Sequence, residues 1–252
     1  MEDEETLETG EECETAPGVV VARRSFAKTF AAALAGTSLT GIAQSNAEEI
    51  QHSELTFREF LALAAPIAKE LLSDTSLVGQ DRYLLTLASF AVRVSDVPVP
   101  EMGDSGQGTG PGTFIGFNPG GDPFTVLHWK MNPNTAILLH AHTYGNVVTL
   151  GLEGEARVEN YEIVGERRYV ADASFKARRT REQWLTPGAV NLVNLDRDYI
   201  HGSIAGSRGA RGLDITTRIR PKEPTPYLAF SEKTSDSGGT RKAVWTFDSP
   251  KR

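Results

Sequence analysis

The sequence predicts an all-β protein, an antiparallel sandwich or barrel with a helical segment on its N-terminal side. Three observations lead to this fold class. Ten short strand-like runs lie between residues 113 and 219, separated by turns, a spacing typical of antiparallel barrels and sandwiches. A segment ahead of them carries apolar residues at helical spacing. The composition, 39% apolar and 23% charged, is that of a globular protein.

Two helices are expected within residues 48–95. Apolar side chains recur at helical spacing from Phe57 to Leu71, and Ser53 or Thr56 is placed to cap this first helix. A second apolar stripe follows in residues 81–94. We expect both helices to cover a sheet face or one end of a barrel.

Turns rich in glycine, proline and asparagine separate the expected strands. Residues 97–112 read as a flexible loop, and Pro187 with Gly188 marks a later turn. Residues 232–252 are expected to form a loose tail, with docking of residues 243–247 as one more strand as the alternative. The expected strands cover residues 113–118, 124–131, 135–140, 146–152, 155–163, 168–170, 183–185, 190–194, 199–204 and 212–219.

The charge and the cysteine content exclude some functions. The net charge is −7, whereas non-specific binding of nucleic acid requires a basic surface. Much of the negative charge lies in an acidic leader, at residues 2–5 and 11–12. The single cysteine, Cys13, lies there too, so the remainder can form neither a disulfide nor a thiolate metal site. A transition metal would therefore need histidine or carboxylate ligands.

Residues 22–47 resemble a twin-arginine export signal. Arg23 and Arg24 open the pattern, an apolar stretch too short to span a bilayer follows, and Ser45 and Ala47 stand where a signal peptidase would cut. The resemblance implies export by the twin-arginine machinery to the periplasm or another extracytoplasmic space, without stable membrane insertion. The alternative is an amphipathic helix of a cytoplasmic protein.

These segments predict four parts of the chain. They are an acidic leader with an export signal, a helical segment, a β-barrel and a tail, at residues 1–47, 48–96, 97–231 and 232–252.

Three of the five histidines suggest a metal site. His140 and His142 end an apolar run, and residues two apart in a strand point to the same side. His201 follows the Pro187 turn and would lie on a neighbouring antiparallel strand. Together they would supply three nitrogen ligands to a divalent metal with open coordination positions.

The stretch from His140 to Gly154 resembles the first cupin motif, and the Pro187 turn with His201 resembles the second. The likeness covers residues 113–220, about half the chain. It implies a cupin jelly-roll barrel, an antiparallel barrel that often holds one metal inside. The first motif has a glutamate four residues after its second histidine, and this chain has Asn146 there.

The three-histidine set resembles the cysteine dioxygenase-like branch of the cupins. The strand at residues 124–129 and the run from Asp198 to His201 are also similar to that branch. The likeness implies ferrous iron as the most favoured metal, dioxygen as co-substrate and a small thiol that is oxidised to a sulfinate. Three parts of its pattern are missing. The cysteine–tyrosine crosslink of some members cannot form, because the single cysteine is Cys13. Residues 214–218 contain neither histidine nor tyrosine, and residues 113–116 contain no arginine.

Other polar residues are candidates for contact with a substrate. Asn146 could bind water or substrate, or pack as a structural side chain. Arg218 lies on the same strand face as Asp214. It could bind a substrate carboxylate through two hydrogen bonds, or it could belong to a row of charges on the surface. His128 could support the site, but a role as a hydrogen-bonded core or surface histidine is favoured. Residues 178–181 are expected to form a solvated loop. The candidate catalytic residues are Tyr144, Asn146, Tyr161 and Arg218.

The sequence leaves three classes of function open. The first is an exported mononuclear non-haem iron dioxygenase that acts on a small thiol. The second is a non-catalytic cupin that binds a metal or small ligand. The third is a cupin isomerase or lyase that uses zinc, nickel or manganese as a Lewis acid. The oligomeric state is not predicted.

Overall fold

The computed structural model describes residues 54–104, 111–121, 123–221, 225–231 and 239–247. The acidic leader, the export signal and Cys13 lie outside these residues, so what the sequence suggests about them stays a prediction. Within the described ranges no helix is long and apolar enough to cross a membrane.

Among the residues that the structure describes, two helices precede the sheet, α1 (Phe57–Ser73) and α2 (Leu77–Ala91). Thr56 caps α1: its hydroxyl accepts the Glu59 N–H, and the Glu59 carboxylate accepts the Thr56 N–H. The apolar faces of both helices pack together on one outer face of the sheet, against Val148 and Leu213. The predicted covering role of the helices is therefore confirmed.

Ten strands follow within the described part of the chain, and their pairings are antiparallel. Their order in the sheet is β1-β2-β3-β8-β4-β9-β10-β6-β5-β7, with an additional pairing of β8 with β5 that closes the sheet on itself. This is the predicted all-β jelly-roll barrel. The strands are β1 (Gly103–Asp104), β2 (Thr113–Gly121), β3 (Phe124–Met131), β4 (Ala136–Ala141), β5 (Gly145–Val164), β6 (Ser174–Leu185), β7 (Val190–Val193), β8 (Ile200–Arg218), β9 (Tyr227–Phe230) and β10 (Thr240–Thr246).

Two long strands, β5 and β8, bend and contribute to both sides of the closed sheet. They pair with each other almost end to end, with bulges around Gly154. The first half of β5 also pairs with β7 and its second half with β6. The bend requires glycine, because Gly154 has φ +63° and a Cβ there would lie 2.1 Å from the Gly209 carbonyl oxygen. The two halves of each strand can therefore face each other across the interior.

The interior between the two halves is apolar at one end. Trp129, Met131, Val158 and Leu185 form this inner cluster. A second cluster, centred on Trp245, lies under β9 and β10 on the other side of β5 and β8. The long strands β5 and β8 thus bury both faces over part of their length.

The strand predictions match some elements and miss others, among them the apolar strand β9. Strand β3 has the predicted bounds, whereas β5 and β8 each join two predicted runs. Residues 168–170 form no strand. Residues 178–181 belong to β6 rather than to a loop, and residues 240–246 form β10 rather than a loose tail. Arginine-rich β6 has little hydrophobic alternation, and its pairing with β5 and β10 decides its structure.

Candidate metal site

The three histidines come together on the inner face of the barrel. His140 in β4 and His201 in β8 are direct cross-strand partners. His142 follows β4, and its backbone N–H donates to the Tyr199 carbonyl, two residues before His201. The centres of the three imidazole rings lie 4.8–4.9 Å apart, and one ligand atom from each ring lies within 4.8 Å of the others. The convergence expected from the sequence is therefore present.

The spacing suits one metal ion. Nε2 of His142 and Nε2 of His201 are 2.9 Å apart, and two imidazole nitrogens at right angles around an ion at about 2.1 Å would be about 3.0 Å apart. Nδ1–H of His140 donates to the Leu138 carbonyl over 2.8 Å, which leaves Nε2 with a lone pair. Three neutral nitrogens suit iron, zinc, nickel or manganese, so the donor set alone does not identify the metal.

The surroundings keep the histidines neutral. Burial lowers the pKa of His201 to about 4, and burial followed by the nearby His201 lowers the pKa of His140 to about 4. The pKa of His142 falls well below its ordinary value, first through burial and then through the other two histidines. Neutral imidazole is the form that binds a cation, so at neutral pH the cluster is ready to bind one.

Local backbone features hold the ligands in place. Asp198, in the turn before β8, has φ +57°, and its carbonyl accepts the side-chain amide N–H of Asn160 over 3.3 Å. Gly202 lets β8 approach β4 closely, because a Cβ there would lie 2.9 Å from the Ile137 carbonyl oxygen. The ligand strands are thus set by contacts next to the histidines.

A buried carboxylic acid faces the site from the opposite half of β8. Asp214 is the cross-strand partner of Thr149 in β5. Both residues line an internal cavity of about 10 Å³ that Trp129 and His201 also line. Burial raises the pKa of Asp214, and Thr149, His140 and Trp129 offset part of this rise. The sequence places Asp214 only in a row of polar residues on its strand. A signal of its role is the lone carboxylate between two apolar strand residues, Leu213 and Ile215.

Asn146 does not lie on the ligand side. It is the cross-strand partner of Thr217, which contacts the hydroxyl of Tyr83 in α2. Its Oδ1 accepts the backbone N–H of Leu195 over 2.8 Å. By strand alternation the neighbouring Val147 faces inward, so β5 offers an apolar side chain there. Asn146 therefore lies where the structural alternative, a packed side chain, placed it, and not where a substrate contact requires it.

Tyr161 and His128 lie away from the histidines. Asn160, next to Tyr161 in β5, is the partner of His201, so Tyr161 points to the opposite face. There it packs against Phe230, with ring centres 5.3 Å apart, and its hydroxyl donates to Glu159. His128 is buried on the face of β3 that carries Val126, opposite to the cavity-lining Trp129. The core role favoured for His128 agrees with this position.

Tyr144 and Arg218 lie at neighbouring strand ends, just before β5 and at the end of β8. Arg218 is exposed at the end of β8 and close to Tyr144; burial raises the pKa of Tyr144 and Arg218 partly offsets the rise. Arg220 pairs with Asp196 on the surface, 3.3 Å away. Tyr227 in β9 was not predicted as a site residue. It is the cross-strand partner of His140, with ring centres 6.3 Å apart, and no sequence pattern indicated this pairing.

Several solved structures resemble this barrel. The polyketide cyclase RemF from Streptomyces resistomycificus is 18% identical, with 55% of this chain and 88% of RemF covered and a TM-score of 0.39. KdgF from Halomonas sp. is 15% identical, with 48% and 89% covered and a TM-score of 0.34. Recombinant pumpkin pro-11S globulin is 10% identical, with 54% and 31% covered and a TM-score of 0.36.

Such distant likenesses concern the fold alone. No protein-family model matches the chain, and no curated protein matches it. The class is therefore defined by the strand topology and the histidine cluster, as an antiparallel jelly-roll barrel with a candidate metal site.

Proposed function

We propose that this protein is a mononuclear iron enzyme that oxidises a small thiol with dioxygen. The convergence of three neutral imidazoles, from His140, His142 and His201, carries the proposal. The cluster of described metal-binding side chains contains no carboxylate. The resemblance to the three-histidine thiol dioxygenases supports iron and a thiol in particular. The overall reaction, R–SH + O₂ → R–SO₂H, is balanced without an external reductant.

The residues of the chain position the reactants in this proposal. Bound ferrous iron would supply the redox chemistry with dioxygen and open positions for ligands. The three histidines hold the metal, and the Leu138 carbonyl fixes the orientation of the His140 ring. Because His140 keeps part of its surface exposed and Tyr227 lies beside it, we assign the approach of the thiol to this side.

Metal analysis and oxygen uptake test the proposal together. Protein from its own host is analysed for metal, then loaded with ferrous iron and given cysteine, cysteamine and 3-mercaptopropionate in an oxygen electrode. We expect iron at about one per chain and thiol-dependent uptake that His140→Ala abolishes. Tyr161→Phe is the matched control, because its hydroxyl lies on the opposite strand face, and it should retain activity.

The other outcomes identify the alternative functions. Tight metal binding without turnover of any thiol would contradict the oxygenase proposal and favour a binding cupin. Turnover of a substrate without oxygen, with zinc, nickel or manganese, would favour a Lewis-acid isomerase or lyase. If His140→Ala binds the metal as tightly as the unchanged protein does, the three histidines are not the metal site.

We also propose export through the twin-arginine route, on the pattern around Arg23 and Arg24. Cell fractionation of the unchanged protein and of a double lysine variant, Arg23→Lys with Arg24→Lys, tests it. We expect the unchanged protein outside the cytoplasm and the variant inside. Equal distribution of both proteins would reject the proposal.

A further inference from the structure

The cavity beside the histidines is lined by polar groups whose hydrogen bonds are poorly formed. Oδ1 of Asp214, Oγ1 of Thr149 and Nε1 of Trp129 are buried without a hydrogen bond of standard geometry, although the Thr149 and Trp129 side chains lie close enough to the Asp214 carboxyl to lower its pKa by hydrogen bonding. The three residues lie on adjacent strands and line one cavity with His201. Buried polar groups with incomplete hydrogen bonds favour an additional partner, so a small polar ligand suits this space.

The cavity volume limits what that ligand can be. About 10 Å³ accommodates roughly one water molecule. Ile137 and Val158 line the apolar remainder of the wall. Because the volume is that of about one water molecule, there is no room for an amino acid or a thiol. The hydroxyl of Ser203, also in the wall, makes only a weak contact with the Met131 sulfur at 3.8 Å.

Asp214 is the residue best placed to hold such a ligand. It faces the interior between the outward-facing Leu213 and Ile215, both of which pack under the helices. Thr149 and Trp129 act on its carboxyl through side-chain hydrogen bonds and His140 through its charge, and none of these groups is a lysine or arginine. The carboxyl therefore takes part in no ion pair with them, and together with Thr149 it lines the cavity.

We propose that Asp214 and Thr149 form a subsite for one water-sized ligand, water or a diatomic molecule, on the inner side of the metal site. This inference rests on the proposed function, because it assumes a metal at the three histidines. The subsite gives the metal site two sides. The small ligand occupies the interior next to Asp214, and the larger substrate approaches past Tyr227. Asp214 is thus a positioning residue for the small ligand.

Nitric oxide, a diatomic probe for ferrous iron, tests the subsite. Iron-loaded protein is titrated with nitric oxide, and binding is followed by absorption and electron paramagnetic resonance. Asp214→Ala removes the hydrogen bond and enlarges the cavity, whereas Asp214→Asn keeps the size and a hydrogen-bonding group. We expect Asp214→Ala to weaken binding at least tenfold and Asp214→Asn to change it less than threefold. Asp172→Asn, an exposed aspartate in the turn before β6, is the control.

The same samples separate failure of this inference from failure of the proposed function. Iron affinity is measured for each variant, and it should stay within threefold of the unchanged protein. Unaltered or tighter nitric oxide binding by Asp214→Ala would overturn the subsite while leaving the metal site in place. Absence of iron binding by the unchanged protein would overturn the proposed function.

Two further measurements keep the subsite testable if Asp214→Ala does not fold. Thr149→Val preserves side-chain shape and removes only the hydroxyl, and we expect it to weaken nitric oxide binding severalfold. A high-resolution crystal structure of the metal-free protein should show one ordered water within hydrogen-bonding distance of the Asp214 carboxyl. Absence of electron density for a water in this cavity, with the lining side chains fully ordered, would contradict the proposal.

Discussion

At the scale of single residues, the role of a side chain depends on which strand face carries it. Asn146 follows the histidine pair closely in sequence, but its amide stabilises the chain segment at Leu195. Asp214 is distant in sequence, but it lines the same cavity as His201. A shift of one position along a strand exchanges the two faces, and this alternation explains both assignments.

Replacement of Asn146 should affect stability more than metal binding. Asn146→Ala leaves the buried Leu195 N–H without its acceptor, which should lower the free energy of unfolding by about 1–3 kcal/mol. Urea unfolding measures this change. Asn146→Asp retains an acceptor oxygen and should lose less. Neither variant should alter the iron affinity of folded protein; tighter iron binding by Asn146→Asp would show that this position does reach the metal.

At the scale of elements, the close packing of β4 on β8 aligns two ligands. His140 and His201 are cross-strand partners beside Gly202, and β4 carries an irregularity between Ile137 and His140. This arrangement requires the two backbones to approach more closely than a side chain at Gly202 permits. The histidine geometry is therefore a property of the strand pair.

Gly202→Ala should disturb the metal site without touching a ligand. The added methyl group would lie 2.9 Å from the Ile137 carbonyl oxygen and from the Leu139 nitrogen, so β4 must shift. We expect weaker iron binding, by about tenfold, in an iron titration. Gly103→Ala is the control, because no atom lies within 4 Å of a Cβ there. Equal affinities of the two variants would contradict the argument.

Strand β10 contributes core side chains and should be required for stability. Trp245 is fully buried and stacks on Phe175, with ring centres 4.7 Å apart. Trp245→Ala should lower the free energy of unfolding by about 3–5 kcal/mol, measured by denaturant unfolding. Trp184→Ala offers a matched control on β6, because Trp184 is 55% exposed. A similar loss for both tryptophans would indicate that residues 240–246 do not pack as described.

At the scale of the whole molecule, the buried titratable groups couple stability to pH. His140 and His201 have pKa values of about 4 in the fold and about 6.5 in an unfolded chain. Between these values the unfolded chain binds more protons, so stability is full above pH 6.5 and is lost as the pH falls toward 4. Asp214, whose pKa is raised by burial, acts in the opposite direction because it favours the fold at low pH.

Metal-free protein should therefore be less stable at pH 5 than at pH 7. The measurement is urea unfolding with a chelator present, at constant ionic strength. His140→Asn lacks one of the titrating groups and should show a smaller difference between the two pH values. Equal midpoints at pH 5 and pH 7, or an unchanged difference in His140→Asn, would exclude the histidine cluster as the cause.

The sequence by itself determined the class of fold and the identity of the candidate metal ligands. Hydrophobic alternation, turn residues and helical spacing are local properties, and they predicted β3, both helices and the general barrel. The spacing of His140 and His142 fixes their common side because a strand repeats every two residues. The resemblance of the motif around them supplied His201.

Only the tertiary structure decided which other residues reach the site. Strand β6 formed because β5 and β10 pair with it, although its own sequence has little alternation. Asp214 and Tyr227 reach the histidines from β8 and β9 through the bend of the long strands and through pairing with β4. Such contacts join residues far apart in the chain, and no local pattern of side chains encodes the register that brings them together.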